Sequence, residues 1–285
     1  MSTLASIYPQ TEGTKQPRQL VRTLLGLLIT ALFLFPFYMI LESSLMAQTD
    51  VLRYPPPFVP PQLTLQGYTN ALATSAGFIL SSLNYGLGTV VVTMLIATPA
   101  AYSLARIRSR IGLFLLVALI LAQMAPGFVV ANSLYAMFSR LHLINTAVAV
   151  VLADSTAAVP FAIIVMRAFM LNVPGELSEA ALVDGAGHWT IFWSIFVPIS
   201  RTAIITAALF SFLAGWGDFL FALTLTNSAN LTPITVGIFR FIGSYSVDWP
   251  SIMATAMIAA VPAIILLAFA QRYIAAGITA GAVKE

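Results

Sequence analysis

The chain has 285 residues, of which 59% are apolar and 8% charged. A soluble domain carries about 25% charged residues, so this composition cannot cover a water-facing surface, and it argues against both a soluble enzyme and a disordered chain. The 13 basic and 10 acidic residues leave a charge of +3, too weak for a nucleic-acid binder, and the absence of Cys with only two distant His (His142 and His188) leaves no disulfide framework, thiolate nucleophile or metal-ligand set.

Taken in chain order, six apolar runs stand out, over residues 20–41, 83–105, 113–138, 146–169, 199–226 and 252–273. A hydrocarbon core of roughly 30 Å needs about 20 residues of helix. Backbone in lipid must satisfy its own hydrogen bonds, and the runs lack the alternation of barrel strands. The expected fold is therefore an all-α membrane protein with six transmembrane helices. The first run, at about 22 residues, exceeds the roughly 7–15 of a signal-peptide core and is expected to stay on the chain as the first span. Pro99, Pro126 and Pro262 lie inside runs; each removes a backbone donor and marks either a packing kink or a hinge. The organisation expected is an N-terminal segment over 1–19, a membrane domain over 20–273 and a tail over 274–285.

Basic residues set the orientation. With an even number of spans both termini share one side, which carries Lys15, Arg18, Arg22, Arg106, Arg108, Arg110, Arg167, Arg201, Arg272 and Lys284. The other side has Arg53, Arg140 and Arg240, ten against three, so both termini are expected in the cytoplasm of a cell whose inner membrane holds the chain. The connections over 42–82, with its Pro-rich stretch 54–61, and over 139–145 and 227–251 then lie outside. Those over 106–112 and 171–198 lie inside.

Residues 172–198 carry the most information. Pro174 suits the opening of a short helix, where its missing N–H costs nothing. Glu176 and Glu179 fall in the first turns, where the helix dipole favours carboxylates. Leu177, Ala180 and Ala181 form one small apolar face by their spacing. Gly185 can stop the helix in a left-handed conformation. A second helix is expected from near His188, with Trp189, Phe192, Trp193 and Phe196 at helical spacing, before Pro198 separates it from the fifth span. This helix–turn–helix on the cytoplasmic surface reads equally as a plug for a groove on another protein or as an anchor in lipid headgroups, which Trp189 and Trp193 would suit.

Glu179-Ala180-Ala181, then Asp184-Gly185-Ala186, then Phe192, Ile195 and Pro198 resemble the "EAA" loop of binding-protein-dependent ABC importer permeases. Pro36-Phe37-Tyr38 with Ser43-Ser44-Leu45, Ala100-Ala101-Tyr102-Ser103-Leu104-Ala105-Arg106, and Trp216-Gly217-Asp218-Phe219-Leu220 are similar to the ends of the first, second and fifth spans in the sugar-importer branch. The tail Gln271-Arg272-Tyr273 with Gly277 to Lys284 is similar to that of the maltose-type second permease. Gly187, Gly217 and Arg201-Thr202 depart from the usual pattern, without touching the Glu-Ala-Ala core.

The resemblance implies a cytoplasmic coupling helix between spans four and five that docks in a cleft of a separate ATP-binding cassette subunit. It implies a heterodimer with a second permease subunit, two such ATPase subunits, an extracytoplasmic sugar-binding protein and surrounding membrane lipid. ATP and Mg would sit on the partner ATPase; this chain, which has no phosphate-binding loop, would bind no cofactor and catalyse nothing. Closure of the ATPase pair would flip the permeases from inward-facing to outward-facing. Glu179 would pair with a basic residue of the ATPase, Ala180 and Ala181 would allow close packing, and Gly185 would set the turn, with Glu176, Asp184 and Ala186 completing the contact. Thr279, Gly281 and Lys284 of the tail would also reach the ATPase.

Elsewhere, Asp218 in the fifth run is an intramembrane ionisable group, either functional or an interhelical hydrogen-bonding residue. Trp216 and Phe221 flank it and either stack on a sugar or fill the core. Asn132 and Tyr135, beyond Pro126, can hydrogen-bond hydroxyls and complete the candidate substrate pathway. Asp154 with Asp218 would serve the alternative, a proton-coupled secondary transporter, though no inverted repeat supports it. The sequence leaves the sugar open, with Gly217 and the few charges in the spans leaning towards a neutral one.

Overall fold

The computed structural model describes residues 16–107, 109–243 and 247–282, with backbone alone for 16–18 and 272–282. Its described residues are helices and turns without a strand. The main elements are α1 (Gln16–Ser44), α2 (Gln66–Arg106), α3 (Arg110–Ala122), α4 (Gly127–Arg140) and α5 (Ala147–Met170). They continue with α6 (Gly175–Val183), α7 (His188–Ile199), α8 (Arg201–Trp216), α9 (Leu220–Leu225) and α10 (Trp249–Ala282).

Four of these helices contain stretches long and apolar enough to cross a membrane: Gln19–Ser44, Gln66–Arg106, Ala147–Met170 and Trp249–Gln271. Two further pairs qualify only if each is taken as one broken span: α3 with α4, bent by 97°, and α7 with α8, bent by 78°.

The second helix departs most from expectation. It has 41 residues and begins at Gln66, so residues 66–82 are helical rather than part of an outer connection. Gly67, Ala71, Ser75, Phe78, Ser82, Tyr85, Thr89 and Thr93 recur every three or four positions and are all buried. A face of small and hydroxyl residues lowers the local hydropathy, yet it is the face that lets helices approach closely. The third expected run divides because Pro126 disfavours helix at Ala125 and itself starts α4 in an extended conformation. The fifth divides at Gly217 and Asp218 into α8 and the short α9. The sixth expected run, α10, is longer than expected at both ends. It starts where Asp248 accepts from the Ser251 amide at 3.2 Å and from its hydroxyl at 2.6 Å, and runs to Ala282. Pro36 and Pro160 are also helix-internal, beside Pro99 and Pro262.

The core is a seam between α2 and α5, closed by α8. Ala97, Ala101 and Leu104 meet Ala162, Ile163, Met166 and Met170, with Ala203 and Ala207 alongside. Glycines set the approach elsewhere: a Cβ at Gly86 would come 2.8 Å from the Phe212 ring, and one at Gly88 would come 2.7 Å from Val151. At the far end, Asn145 ties the α4–α5 connection to the end of α9. Its amide donates to the Leu225 carbonyl at 2.8 Å, and its side-chain oxygen accepts from the amides of Asn227 and Ser228, each at 3.1 Å.

Candidate functional site: the α6–α7 surface and a buried polar cluster

The α6–α7 segment is a helix–turn–helix, as its residues predict. Pro174, extended at φ −57°, ψ 135°, caps α6 one position before the first helical residue. Glu176 sits in the first turn and Glu179 in the second. At the other end Gly185 adopts φ +83°, a conformation that an L side chain rarely takes. The Gly185 amide donates to Leu182 at 3.0 Å and the Ala186 amide donates to Ala181 at 2.8 Å. These two bonds make a Schellman motif, which satisfies carbonyls that the helix end would leave orphaned. The second helix begins at His188, and its turn over Phe192–Phe196 is π-helical.

The base of this segment is fixed in the core. Ile191 and Phe196 are buried in the α2–α5 cluster, and Val173, Ala181, Ala186 and Ile195 pack against it. The expected face of Leu177, Ala180 and Ala181 is therefore split. Ala181 turns inward with Ser178, while Leu177 and Ala180 are exposed. Glu176, Glu179, Leu182, Val183, Asp184 and Gly185 are exposed with them. Val183 is 87% exposed and Trp189 69%, beside exposed Trp193. The outer surface is thus acidic residues among uncovered Leu, Val and Trp side chains. A concentration of exposed apolar residues rimmed by polar ones marks an interaction surface. Leu182 and Val183 were not legible as part of it, because only burial shows which side of α6 faces the body.

The substrate-pathway residues fall in different places. Trp216 is buried, stacks on Phe212 at 5.8 Å, and donates from Nε1 to the Ala259 carbonyl at 3.0 Å. Phe221 is half-buried against a cluster containing Tyr85, Phe138 and Ala149. Asn132 and Tyr135 are both exposed on α4, whose buried residues are Ala131 and Phe138. Asp218 is buried and works locally: it accepts from the Phe221 amide at 3.1 Å and the Ala222 amide at 2.7 Å, holding the start of α9. Thr235 donates to its carbonyl. Asp154 is buried, and among the described residues no group bonds its Oδ2. Tyr85, which sequence reading passed over, donates to the Leu231 carbonyl at 2.5 Å. Among the described residues no three His, Cys, Asp or Glu side chains converge to hold a metal. For the tail, Thr279 and Gly281 belong to α10, whose side chains there are not described, and Lys284 lies outside the described residues.

Residues 97–280 match the family described as binding-protein-dependent transport system inner membrane component. The chain is 32% identical over 274 residues to a probable ABC transporter permease of Sinorhizobium fredii, covering 95% of this chain and 98% of that one. It is 33% identical over 208 residues to a trehalose transport system permease of Mycobacterium tuberculosis, covering 72% and 76%. Its fold is similar to a chain of a bacterial ABC transporter involved in the import of the acidic polysaccharide alginate. That likeness has a TM-score of 0.78 at 20% identity and covers 93% of this chain and 99% of that one.

Proposed function

The chain belongs to the family of binding-protein-dependent transport system inner membrane components, and from that premise we propose that it is a membrane-spanning subunit of an ATP-driven carbohydrate importer. It forms half of the translocation pathway, pairs with a second permease subunit and receives sugar from an extracytoplasmic binding protein. The relatives support the carbohydrate class: one is a trehalose permease, and a fold neighbour belongs to an alginate importer. The six-span arrangement takes α3 with α4 as one span, and α8 with α9, the expected run over 199–226, as another, with both termini cytoplasmic. The connection between α5 and α8 then lies in the cytoplasm.

The observation that carries the coupling role is the α6–α7 segment. It is pinned at its base by buried Ile191 and Phe196, yet its outer face leaves Glu179, Ala180, Leu182 and Val183 uncovered. A rigid projection with an uncovered apolar and acidic face fits a groove on a water-soluble ATPase subunit, with ATP and Mg held there. Glu179 pairs with a base of that groove, Ala180 permits close approach, and Gly185 holds the turn. Glu176 and Asp184 flank the contact, Ala181 and Ala186 seat the segment on the body, and Thr279, Gly281 and Lys284 add a contact from the tail.

The test is reconstitution with the products of neighbouring genes. Uptake of a panel of labelled neutral and acidic sugars into proteoliposomes should require ATP and the binding protein. Uptake by this chain alone that collapses with a protonophore would overturn the reading in favour of a proton-driven carrier.

A further inference from the structure

At the cytoplasmic-side end of α2, Tyr102 and Arg106 stand one turn apart. The Tyr102 ring meets Phe192 at 5.2 Å and Phe196, edge-on, at 4.8 Å. The Arg106 guanidinium carbon lies 5.3 Å from the centre of the same Phe196 ring, within cation–π range. Phe192 and Phe196 are the first and last residues of the π-helical turn in α7, and both rings are buried. Turns of this kind carry a bulge in the helical ladder and occur often at functional sites. The same last turn of α2 is held from a third direction, where Arg167 Nε of α5 donates to the Leu104 carbonyl at 3.2 Å.

The acidic helix α6 stands off from this junction. Glu179 and Gly175 line a cavity of about 340 Å³ whose other walls include Arg106, Met170, Val173 and Phe196. The junction therefore links α2 to the aromatic turn while leaving open space beneath Glu179. From there α2 runs 41 residues as one helix, roughly 60 Å at 1.5 Å per residue, with Pro99 inside it one turn before Tyr102. At its opposite end Gly67 abuts the head of α10, where an added Cβ would lie 2.7 Å from the Pro250 carbonyl oxygen. A single helix held at both ends passes displacement from one end to the other, and Pro99, beside the gripped turn, is the point where it gives.

We propose that Tyr102 and Arg106 are positioning residues that grip the Phe192–Phe196 turn, carry displacement of the α6–α7 segment into α2, and through α2 move the outer mouth. The proposal rests on the importer reading above. The deciding observation is convergence: a ring and a cation from one helix end close on the two rings that bound a single irregular turn.

The chain has no Cys, so labels can be placed at chosen positions. In the complete complex with its ATPase subunits, spin labels go on Val183→Cys with Ile111→Cys at the coupling side. A second pair goes on Leu65→Cys with Phe239→Cys at the outer side. Distances are measured before and after Mg-ATP with vanadate. Both pairs should shift in the otherwise unaltered chain. With Tyr102→Leu and Arg106→Gln together, the coupling-side pair should still shift while the outer shift falls at least fivefold. With Tyr102→Phe and Arg106→Lys, which keep ring and cation, the outer shift should return to within twofold. An unchanged outer shift in the disruptive variant overturns the proposal. So does loss of the coupling-side shift, which would make the two residues a structural prop, or equal failure of the conservative variant. If the unaltered chain retains no ATPase subunit on purification, the importer reading falls and takes this proposal with it.

Discussion

A Cβ on Gly215 would lie 2.7 Å from the carbonyl oxygen of Tyr85, so α8 and α2 touch backbone to backbone at that point. Thr89 Oγ1 is equally near, at 2.7 Å. Neither neighbour is the end of a flexible side chain. Gly215→Val should therefore force the two helices apart, at a cost of about 1–3 kcal/mol typical of overpacking. A lowered thermal midpoint of the detergent-purified chain would report it, and an unchanged midpoint would show that the contact has slack.

Gly185→Val places a β-branched residue at φ +83°, where strain of about 1–3 kcal/mol is expected. The Schellman bonds to Leu182 and Ala181 should loosen while the spans stay intact. Protease cutting between α6 and α7 should accelerate, and recovery of the ATPase subunit on affinity purification should drop. Gly185→Asn, which tolerates the left-handed region better, should fall between.

Glu179→Lys reverses the charge of an exposed side chain that makes no hydrogen bond among the described residues. Membrane insertion and thermal stability should match the unaltered chain, while ATPase binding and ATP-driven uptake drop at least tenfold. Wild-type uptake in this variant would contradict the assignment of α6 as the coupling helix.

Asn145→Ala removes three side-chain hydrogen bonds: acceptance from Asn227 and Ser228, and donation to the Ser228 hydroxyl at 2.7 Å. It also leaves Ala at φ 62°. A loss of about 1–3 kcal/mol is expected from the bonds, with faster hydrogen exchange at Asn227 and Ser228. Exchange rates unchanged at those amides would show that the junction does not depend on this side chain.

Trp216→Phe keeps the ring but loses the bond to Ala259, and should cost about 0.5–1.5 kcal/mol. Because Trp216 is buried within its own chain, the KM for the transported sugar should not move. A rise in KM without loss of stability would place the ring in the pathway instead.

Local signals were the legible ones. Pro174, Gly185 and His188 marked the α6–α7 boundaries within a residue, because caps and left-handed turns are properties of a few adjacent side chains. The family followed from the same short stretch, Glu179 to Pro198. Hydropathy located the apolar spans but missed the helix over 66–82, whose buried face is Gly, Ala and Ser with the single large apolar residue Phe78. It also merged helices that Pro126 and Gly217 divide, since a break of a few residues hardly changes a window average. The inward turn of Trp216 depends on a partner 43 residues away in sequence, Ala259, and that of Ala181 on a cluster assembled from several helices. No spacing within one segment encodes such pairings.

The first helix is tethered more than it is packed. Its end is fixed where Glu42 and Ser44 are buried and the Ser44 and Tyr68 hydroxyls meet at 2.9 Å, yet none of its apolar membrane stretch is buried by its own chain. Most of the circumference of α1 must therefore find its solvent in lipid or in another subunit. Its tilt and order are properties of the surrounding assembly, and swapping a thick bilayer for a thin one should disturb this helix before any other part of the molecule.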